Sequence, residues 1–286
     1  MKILITGANG MVARAAVEYC RSLGDDVIAL TRADLDIADL DAVVTSIGNA
    51  RPDAVLNCAA YTNVDAAENN EEICFKINAD GVENLANACK SFGAGFVTIS
   101  TDYVFDGMKY GFYTQRDTPN PQGIYAKSKR EGEIRACYVY SRSIVVRSGW
   151  IYGRGGTNFL SVMPDLLANG KSIQAIDDSY GTPTYANDLA KRIRELAEAD
   201  LPFIFHITNS GPGTSYLGFA EKVCEIGGFD KSLLQPTSKD DLKRPAPRPA
   251  NSKMSCLLSE RLGLKPMRNW EDALKSFLTA SQNRER

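Results

Sequence analysis

Short apolar runs alternate with longer amphipathic segments through the first half of the chain. The apolar runs are rich in Ile and Val and predict β-strands at residues 3–6, 26–30, 54–57, 96–100 and 143–147. Apolar spacing between them predicts helices at about residues 11–23, 39–47, 71–92 and 125–137. Short strands that alternate with helices are typical of a parallel sheet covered on both faces. We therefore predict an α/β protein with a doubly wound parallel sheet of the Rossmann type.

The first of these helices shows how the pattern assigns a buried face. Its apolar positions recur at three- and four-residue intervals, as expected for one side of an α-helix. The residues predicted to face the sheet are Val12, Ala15, Ala16, Tyr19 and Leu23.

The alternation loosens after about residue 147. Amphipathic spacing predicts helices at residues 157–169 and 187–197 and a closing helix at residues 270–279. Residues 236–251 contain four prolines, which exclude a helix and favour an extended loop. We expect residues 151–286 to form mainly a small C-terminal lobe, interleaved with the last strands of the sheet.

Composition limits the class of partner. The chain has 33 Lys and Arg against 35 Asp and Glu, and this balance argues against a nucleic-acid-binding protein. No apolar run approaches the roughly 20 residues of a membrane span, and a strand that begins at Lys2 leaves no room for a signal peptide. The seven cysteines lack metal-site spacing, and most of them, among apolar neighbours, are predicted to be buried thiols in a reducing cytoplasm. The single histidine, His206, is predicted to be structural, and no metal site is expected.

Two glycines follow the first predicted strand, in Gly7-Ala-Asn9-Gly10, and the next residues open a helix. Glycines at such a turn let the backbone approach a pyrophosphate, and the helix N-terminus supplies N–H donors and positive potential. The segment therefore predicts a dinucleotide-binding loop, with Met11 and Val12 in the first helical turn beside it.

Tyr125 and Lys129 are four residues apart in a predicted helix, so their side chains share one face. A phenol keeps its proton to about pH 10, and a nearby ammonium group favours the phenolate and lowers that pKa. A tyrosine tuned in this way can donate a proton to a developing alkoxide or accept one from an alcohol. The pair alone is common on solvated helices, so its meaning depends on the segments around it.

Three segments, in their order along the chain, resemble the extended short-chain dehydrogenase/reductase family. They are the glycine loop that ends at Ala13, where the family usually has a third glycine, the run Ser100-Thr-Asp-Tyr-Val-Phe-Asp-Gly107, and the Tyr125 to Lys129 pair. The middle run resembles the dTDP-4-dehydrorhamnose reductase branch in particular. The resemblance implies an NAD(P)-binding domain at residues 1–150 and a substrate-binding lobe mainly at residues 151–286.

The resemblance also implies a reaction, the transfer of hydride from NAD(P)H to the C4 ketone of a dTDP-4-keto-6-deoxy sugar. Tyr125 would donate the proton, and Lys129 would lower the Tyr125 pKa and bind the nicotinamide ribose. Thr101 would donate a hydrogen bond to the substrate oxygen. Related dehydratases carry Glu where this chain has Tyr103, which favours simple reduction.

The cofactor residues follow from the same resemblance. Asp36 and Ile37 match a segment that touches the adenine, and Ala59, Ala60 and Tyr61 match the stretch over which the cofactor lies. An NAD site usually ends its second strand with an acid. This chain has Arg32 there, and a guanidinium matches a 2′-phosphate, so NADPH is favoured with NADH also usable. The predicted cofactor-binding residues are Gly7, Asn9, Gly10, Met11, Val12, Arg32, Asp36, Ile37, Ala59, Ala60, Tyr61, Tyr125 and Lys129.

Substrate contacts are predicted more widely along the chain. Asp102 would bind sugar hydroxyls beside Thr101, and Trp150 would stack on the sugar or else belong to the core. Arg244 and Arg248 lie in the proline-rich loop and are candidates for the diphosphate, because arginine suits phosphate oxygens. Asn78 matches a helix residue that orders a backbone or water link, or it is plain helix packing.

Other functions remain open on the sequence. A different nucleotide-sugar 4-ketoreductase would share these motifs, and so would an epimerase that keeps its cofactor. A non-catalytic regulatory subunit is a further alternative, because the methionine adenosyltransferase β subunit resembles the same branch. The partners expected are a nucleotide-sugar substrate and a second copy of the chain in a possible homodimer, with no nucleic acid and no membrane.

Overall fold

The computed structural model describes residues 1–282 and contains a six-stranded parallel sheet. The strands of this part of the chain, in order, are β1 (Lys2–Thr6), β2 (Asp26–Leu30), β3 (Ala54–Asn57), β4 (Gly95–Thr101), β5 (Ser143–Ser148), β6 (Ile151–Tyr152), β7 (Ile173–Ile176), β8 (Tyr180–Gly181), β9 (Thr184–Tyr185), β10 (Ile204–His206), β11 (Thr214–Ser215) and β12 (Leu234–Thr237).

The main sheet has the order β10-β5-β4-β3-β1-β2, and each neighbouring pair is parallel. The predicted doubly wound parallel sheet is confirmed. The chain moves outward from β1 to β2 and then returns to the other side of β1 with β3, so the strand order reverses between β1 and β3. Ligands of such sheets bind beyond the carboxyl ends of the strands at this reversal.

Helices cover both faces of the sheet. In chain order they are α1 (Met11–Ser22), α2 (Leu40–Ala50), α3 (Val64–Ala67), α4 (Glu71–Phe75), α5 (Gly81–Phe92), α6 (Ile124–Val139), α7 (Phe159–Ala168), α8 (Ala186–Ala199), α9 (Tyr216–Gly227) and α10 (Trp270–Gln282).

Alternate side chains of each strand enter different layers, as the pleat requires. Ile3 and Ile5 of β1 pack in the layer that contains α1 and α8. Leu4, between them, packs in the layer that contains α2, α5 and the end of α6. The sheet is therefore buried on both sides, which explains the continuous apolar runs in its strands.

The buried face of α1 differs from the prediction. Ala13, Ala16 and Cys20 are fully buried, whereas Leu23 follows the helix and is 53% exposed. The small side chains let α1 lie close to β1 and α8, and larger apolar residues occupy its flanks. Ala13 therefore fills the position of the family's third glycine without separating helix from sheet.

The long helix predicted at residues 71–92 contains an irregular turn. α4 passes into a π-helical turn at Lys76–Asp80, and α5 continues from it to Phe92. A π-turn changes the phase of a helix, and such turns are frequent at functional sites. Here Asn78 lies in the middle of the turn and is buried.

A second hydrophobic core lies in the C-terminal half. It contains large side chains from β6, α7, α9 and α10, among them Tyr152, Met163, Phe219 and Leu274. The C-terminal half also contributes α8 and β10 to the main sheet and its cover. Short strand pairs, β6 with β9, β7 with β12 and β8 with β11, connect the loops around this second core.

Candidate active site

A cavity of about 820 Å³ lies beyond the carboxyl ends of the central strands. Its walls come from the loops after β1 and β3, the ends of β4 and β5, the start of α6 and the start of α7. The C-terminal half contributes Gln174 and Ile176 of β7 and Tyr216 of α9, and the proline-rich loop contributes Arg244 and Arg248. The cavity thus lies at the strand-order reversal, between the sheet and the C-terminal half.

The loop after β1 is tightly packed against the loop after β3. Gly7 has a φ of 69°, and a Cβ on it would lie 2.8 Å from backbone atoms of Ala59. A Cβ on Gly10 would lie 3.1 Å from the Gly7 carbonyl oxygen. Only glycine fits at Gly7, because both the backbone angle and the close approach exclude a side chain. The chain therefore has the glycine turn and helix N-terminus that a dinucleotide pyrophosphate requires.

Arg14 joins this loop to the C-terminal half. Its guanidinium donates to the Asn9 carbonyl oxygen at 2.9 Å and to the Gly155 carbonyl oxygen at 2.8 Å. Arg14 also lines the cavity. Sequence reasoning missed this residue, because its partner at Gly155 is distant in the chain.

Predicted cofactor residues lie at three kinds of position. Asn9, Gly10, Met11, Val12, Ala59 and Ala60 line the cavity. Gly7 and Tyr61 belong to the loops that carry this lining, while Arg32, Asp36 and Ile37 lie outside it, beyond β2.

The surroundings of Arg32, Asp36 and Ile37, which follow β2, limit how each could contact a cofactor. Arg32 is exposed, and Asp36 accepts a hydrogen bond from the backbone N–H of Ala38 at 3.0 Å. Ile37 is 3% exposed and packs on Gly81, where an added Cβ would lie 2.7 Å from Ile37 Cγ1. The Ile37 side chain therefore faces the core, and only its backbone is available to a ligand.

Asn78 links the cofactor side of the site to α6. Its amide donates to the Tyr61 carbonyl oxygen at 3.0 Å, and its carbonyl oxygen accepts from the Tyr61 N–H at 2.9 Å. The same amide donates to Ser128 Oγ at 3.0 Å, and Ser128 Oγ donates to the Tyr125 carbonyl oxygen at 2.8 Å. Of the alternatives for Asn78, the structure shows the backbone link.

Helix α6 starts at the cavity wall and presents Tyr125 and Lys129 to it. Its N-cap, Gly123, has no side chain to satisfy the first helical donors. Glu68 supplies this function from a neighbouring segment, because its Oε1 accepts from the Ile124 N–H at 2.8 Å. The carboxylate also suits the positive end of the helix.

The protonation of Tyr125 differs from the expectation that Lys129 lowers its pKa. Burial raises the pKa of Tyr125 above its usual range, and a hydrogen bond from Thr101 only partly opposes this effect. Lys129 points its Nζ at the Ile99 carbonyl oxygen, to which it donates at 2.7 Å. The phenol is therefore neutral in this structure, because desolvation outweighs the expected effect of the ammonium group.

Lys129 is itself strongly affected by its surroundings. Its residue is 4% exposed, and burial lowers the Lys129 pKa to about 8, with the charge of Glu133 acting in the opposite direction. A buried ammonium group near this pKa is charged at neutral pH but loses its proton in mild alkali.

Thr101 and Asp102 lie at the end of β4 beside Tyr125. The Thr101 hydroxyl donates to Asp102 Oδ1 at 3.1 Å, while it also lies close enough to influence Tyr125. A hydroxyl has one proton, so Thr101 serves one acceptor at a time. Asp102 is 3% exposed, and burial raises its pKa to about 6, although the Ser252 and Thr101 hydroxyls act to lower it. Ser252 lies near the carboxylate but makes no well-formed hydrogen bond with it, so within residues 1–282 Asp102 Oδ2 has no hydrogen-bond partner of good geometry.

Trp150 belongs both to the cavity wall and to the second core. It has a φ of 49° and stacks on Tyr216, with ring centroids 3.9 Å apart. Gly181 approaches its indole so closely that a Cβ there would lie 2.1 Å from the ring. The backbone of Trp150 is therefore in a costly left-handed conformation that its packed surroundings maintain.

Two tyrosines at the site were not predicted as contacts. Tyr103 lies edge-on to Tyr125 at 6.1 Å between ring centroids, and burial raises its pKa to about 12. Tyr216 begins α9, stacks on Trp150 and lines the cavity. Tyr216 belongs to no recognisable motif, so only the tertiary structure reveals it.

The proline-rich loop brings two cations to the cavity, as predicted for this segment. Arg248 forms a two-bond ion pair with Asp65, with Nη1 at 2.9 Å from Oδ1 and Nη2 at 2.8 Å from Oδ2. Arg244 is exposed, and both arginines also line an adjoining cavity of about 350 Å³ with Lys239 and Lys243. The arrangement gives this end of the site a positive character suited to phosphate groups.

Residues 1–282 contain neither a candidate metal site nor a candidate membrane span. No group of three or more His, Cys, Asp or Glu side chains in this part of the chain has the geometry to hold a metal ion. None of its helices combines the length and apolar character of a membrane span. His206 is buried beside Arg147, and burial lowers its pKa to about 4, in keeping with a structural position.

Comparisons with known proteins agree with this architecture. Residues 1–283 match the family described as RmlD substrate binding domain. The dTDP-4-dehydrorhamnose reductase of Mycobacterium tuberculosis is 38% identical over 99% of this chain and 94% of its own. A Clostridium acetobutylicum dTDP-4-dehydrorhamnose reductase has a TM-score of 0.94 at 36% identity, covering 99% of this chain and 100% of its own.

A second solved structure is similar to the same extent. The Bacillus anthracis dTDP-4-dehydrorhamnose reductase in complex with NADP has a TM-score of 0.94 at 33% identity, covering 98% of this chain and 100% of its own. The resemblance expected from the sequence motifs is confirmed. The chain therefore belongs to the RmlD substrate binding domain family, in the dTDP-4-dehydrorhamnose reductase branch of the extended short-chain dehydrogenases/reductases.

Proposed function

We propose that this protein is an NADPH-dependent reductase of the C4 ketone of a dTDP-4-keto-6-deoxy sugar, of the dTDP-4-dehydrorhamnose reductase type. The observation that carries the proposal is that Thr101, Tyr125 and Lys129 line one cavity with the glycine loop. The related Bacillus anthracis reductase, whose structure contains NADP, supports the choice of cofactor.

The protein's own groups supply binding, orientation and a proton. NADPH, when bound, supplies a hydride. Tyr125 donates its phenolic proton to the oxygen that gains charge during reduction, and its raised pKa keeps that proton in place until it is needed. Thr101 stabilises the same oxygen by a hydrogen bond, and removal of such a donor typically costs about 10²–10³-fold in rate.

Lys129 is proposed to turn from the Ile99 carbonyl oxygen toward the nicotinamide ribose when the cofactor binds. Its ammonium group then lies nearer the phenol and lowers the free energy of the phenolate that forms after proton transfer. Asn9, Gly10 and the N-terminus of α1 would hold the pyrophosphate, since backbone N–H groups and the helix dipole favour anions.

The C-terminal half is proposed to bind the sugar nucleotide. Trp150 and Tyr216 offer aromatic faces, and Asp102 offers a buried oxygen without a partner to a sugar hydroxyl. Arg244 and Arg248 would bind the diphosphate. This assignment gives residues 1–150 mainly to the cofactor and residues 151–286 mainly to the substrate.

One assay tests the proposal. NADPH oxidation is followed with a panel of dTDP-4-keto-6-deoxy sugars, and the product configuration at C4 is determined by NMR. Turnover with dTDP-4-dehydrorhamnose to a rhamnose product is expected. Turnover only with another sugar would indicate a different 4-ketoreductase. Absence of NADPH oxidation with every sugar, together with co-purification of a synthetase, would contradict the proposal and favour a regulatory subunit.

Cellular location and assembly remain predictions. We expect a cytoplasmic enzyme, because its proposed substrate is a nucleotide sugar, and size-exclusion chromatography with light scattering tests the predicted homodimer.

A further inference from the structure

A buried ion pair lies one helical turn beyond Lys129. Glu133 on α6 and Arg147 on β5 have side chains that are 1% and 3% exposed. Arg147 Nη2 donates to Glu133 Oε2 at 2.7 Å, and Arg147 Nε donates to Glu133 Oε1 at 2.9 Å. Nothing in the proposed reaction uses this pair, yet burying two charges is costly unless a dense set of hydrogen bonds compensates.

Glu133 accepts from other donors as well. Ser100 Oγ donates to its Oε1 at 2.5 Å, and Arg130 Nη1 donates to its Oε2 at 2.7 Å. Ser100 directly precedes Thr101 on β4, and Arg147 lies three residues before Trp150 at the end of β5. One carboxylate thus holds together α6, β4 and β5, the elements that carry the proposed catalytic and substrate-contacting groups.

The carboxylate is ionised despite its burial. Burial acts to raise the pKa of Glu133, but the hydrogen bonds and charge of Arg147, with Ser100 and Arg130, bring it below its usual value. His206 on β10 contacts Arg147 Nη1 at 3.4 Å, and burial and the Arg147 charge keep it neutral. The cluster therefore keeps a full negative charge on Glu133.

Lys129, one helical turn before Glu133 on α6, is a neighbouring group that this charge affects. Burial lowers the Lys129 pKa, and Glu133 is the foremost of the groups that raise it. The thiols of Cys74 on α4 and Cys58 after β3 act in the same direction. Burial keeps the pKa of both thiols above the usual value, so at neutral pH they carry no charge. Glu133 is thus the ionised acid that supports the Lys129 ammonium group.

We propose that Glu133 is a positioning residue, whose buried carboxylate fixes the ends of β4 and β5 against α6 and, one helical turn from Lys129, sets the surroundings of that side chain. Its effect on turnover rests on the proposed reductase function, whereas its effect on Lys129 does not. A readout that needs neither cofactor nor substrate therefore tests it.

The test is a pH titration of protein labelled with ¹³C at the lysine ε-carbon, in which K129R identifies the Lys129 resonance. Glu133→Gln keeps the shape and most hydrogen bonds of the side chain but removes its charge. We expect the Lys129 titration midpoint to fall by about one pH unit, because the buried negative charge one helical turn along α6 has been lost. The alkaline limb of kcat/KM should move by the same amount. Glu133→Asp keeps the charge and should restore the midpoint while kcat stays reduced.

Asp25→Asn is the matched control, because Asp25 is also a buried carboxylate in a two-bond pair, with Arg194, on the other face of the sheet. It should lower thermal stability without moving the Lys129 midpoint.

If Glu133→Gln does not fold, the double variant E133Q/R147M removes both charges and avoids a buried unpaired arginine. An unchanged Lys129 midpoint in the folded variant would overturn the proposal and leave Glu133 as a structural ion pair. Loss of all turnover in the parent protein would contradict the reductase function only.

Discussion

Burial controls the protonation of the ionisable residues at the cavity wall. It raises the pKa of Tyr125, raises that of Asp102 to about 6 and lowers that of Lys129 to about 8. At neutral pH this gives a protonated phenol on Tyr125 and a charged ammonium group on Lys129. These are the forms that a reduction requires, because the alkoxide must receive a proton as the hydride arrives.

Tyr125→Phe should reduce turnover by about 10²–10⁴-fold, the usual contribution of a general acid. NADPH affinity should change little, because the phenol contributes its proton rather than a major part of the binding surface. Steady-state kinetics and fluorescence titration of NADPH measure the two effects. Tyr138→Phe is the matched control, since Tyr138 lies on the same helix and is 89% exposed. Loss of cofactor binding in the Tyr125 variant would contradict the assigned role.

Asp102→Asn should stabilise the protein in a pH-dependent manner. The folded-state pKa of about 6 exceeds the usual 3.8, so the contribution of Asp102 to stability is greatest below about pH 4. That contribution is lost as the pH rises through 6 and the buried group ionises. The variant should therefore gain roughly 3 kcal/mol at pH 8 and nothing at pH 4. Urea unfolding at the two pH values tests this, and equal gains would contradict it.

The gain in stability should accompany a loss of function. Asp102 is proposed to bind a sugar hydroxyl, so Asp102→Asn should raise KM for the sugar nucleotide. A buried charge kept at a cost in stability is common at binding sites.

Arg32→Ala should raise the Kd for NADPH by about tenfold, because a charged hydrogen bond to the 2′-phosphate would be lost. The Kd for NADH should change little. Arg116→Ala is a suitable control, since Arg116 is also exposed and lies far along the chain from the glycine loop. Equal weakening of the two cofactors would remove the basis for the predicted NADPH preference.

At the scale of elements, the site depends on how α6 crosses the π-helical turn. A Cβ on Gly132 of α6 would lie 2.1 Å from the carbonyl oxygen of Asn78, so only glycine permits this approach. The close crossing lets Asn78 reach both Ser128 on α6 and the backbone of Tyr61. This close backbone contact therefore helps to set the position of α6, the proposed catalytic helix, relative to the loop after β3.

Gly132→Ala should separate the two elements and destabilise the protein by about 1–3 kcal/mol, the usual cost of overpacking. Turnover should fall as well, because Tyr125 and Lys129 move with α6. Gly95→Ala is the matched control, since a Cβ there meets Ala54 Cβ at an ordinary 3.5 Å. Differential scanning calorimetry and kinetics measure both variants, and a Gly132 variant as active and stable as the control would refute the role of this contact.

At the scale of the molecule, buried ion pairs join segments that are distant in the chain. Arg194 on α8 donates to both carboxylate oxygens of Asp25, at 2.6 and 2.9 Å, and so anchors the C-terminal half to the start of the main sheet. The partnership with Arg194 keeps the pKa of Asp25 below its usual value. The stability it provides is therefore present above about pH 4 and is lost as the pH falls through the folded-state pKa.

Arg194→Met should lower the free energy of unfolding at pH 7 by less than the roughly 3–5 kcal/mol of a fully broken buried pair, because the Met1 ammonium group still donates to Asp25 Oδ1 at 2.8 Å. The difference from the parent should shrink as Asp25 becomes protonated in acid. Urea unfolding from pH 7 down to about pH 2 measures the trend, because the folded-state pKa of Asp25 lies below 3.8. A deficit that does not depend on pH would mean that packing, rather than charge, explains the loss.

The sequence predicts local features of the molecule well and distant contacts poorly. Its apolar runs locate the main strands, and the four-residue spacing of Tyr125 and Lys129 places both at the cavity, because these patterns arise within single elements. Tyr216, Arg147 and Asp65 escaped prediction, since their relevance depends on partners far along the chain. The protonation of Tyr125 in the folded protein also lies beyond sequence prediction, because burial is a property of the fold.

The π-helical turn at Lys76–Asp80 has a consequence for insertions and deletions. Each residue of a helix advances the chain by about 100° around the axis. Deletion of one residue from the π-helical turn would restore a regular α-helix, but it would also rotate α5 about the helix axis relative to α4. Asn78 would then lose its hydrogen bond to the backbone of Tyr61, or α5 would turn its side chains Val82, Leu85 and Cys89 out of the core. Natural length variation in this protein should therefore avoid this segment and occur in its surface loops.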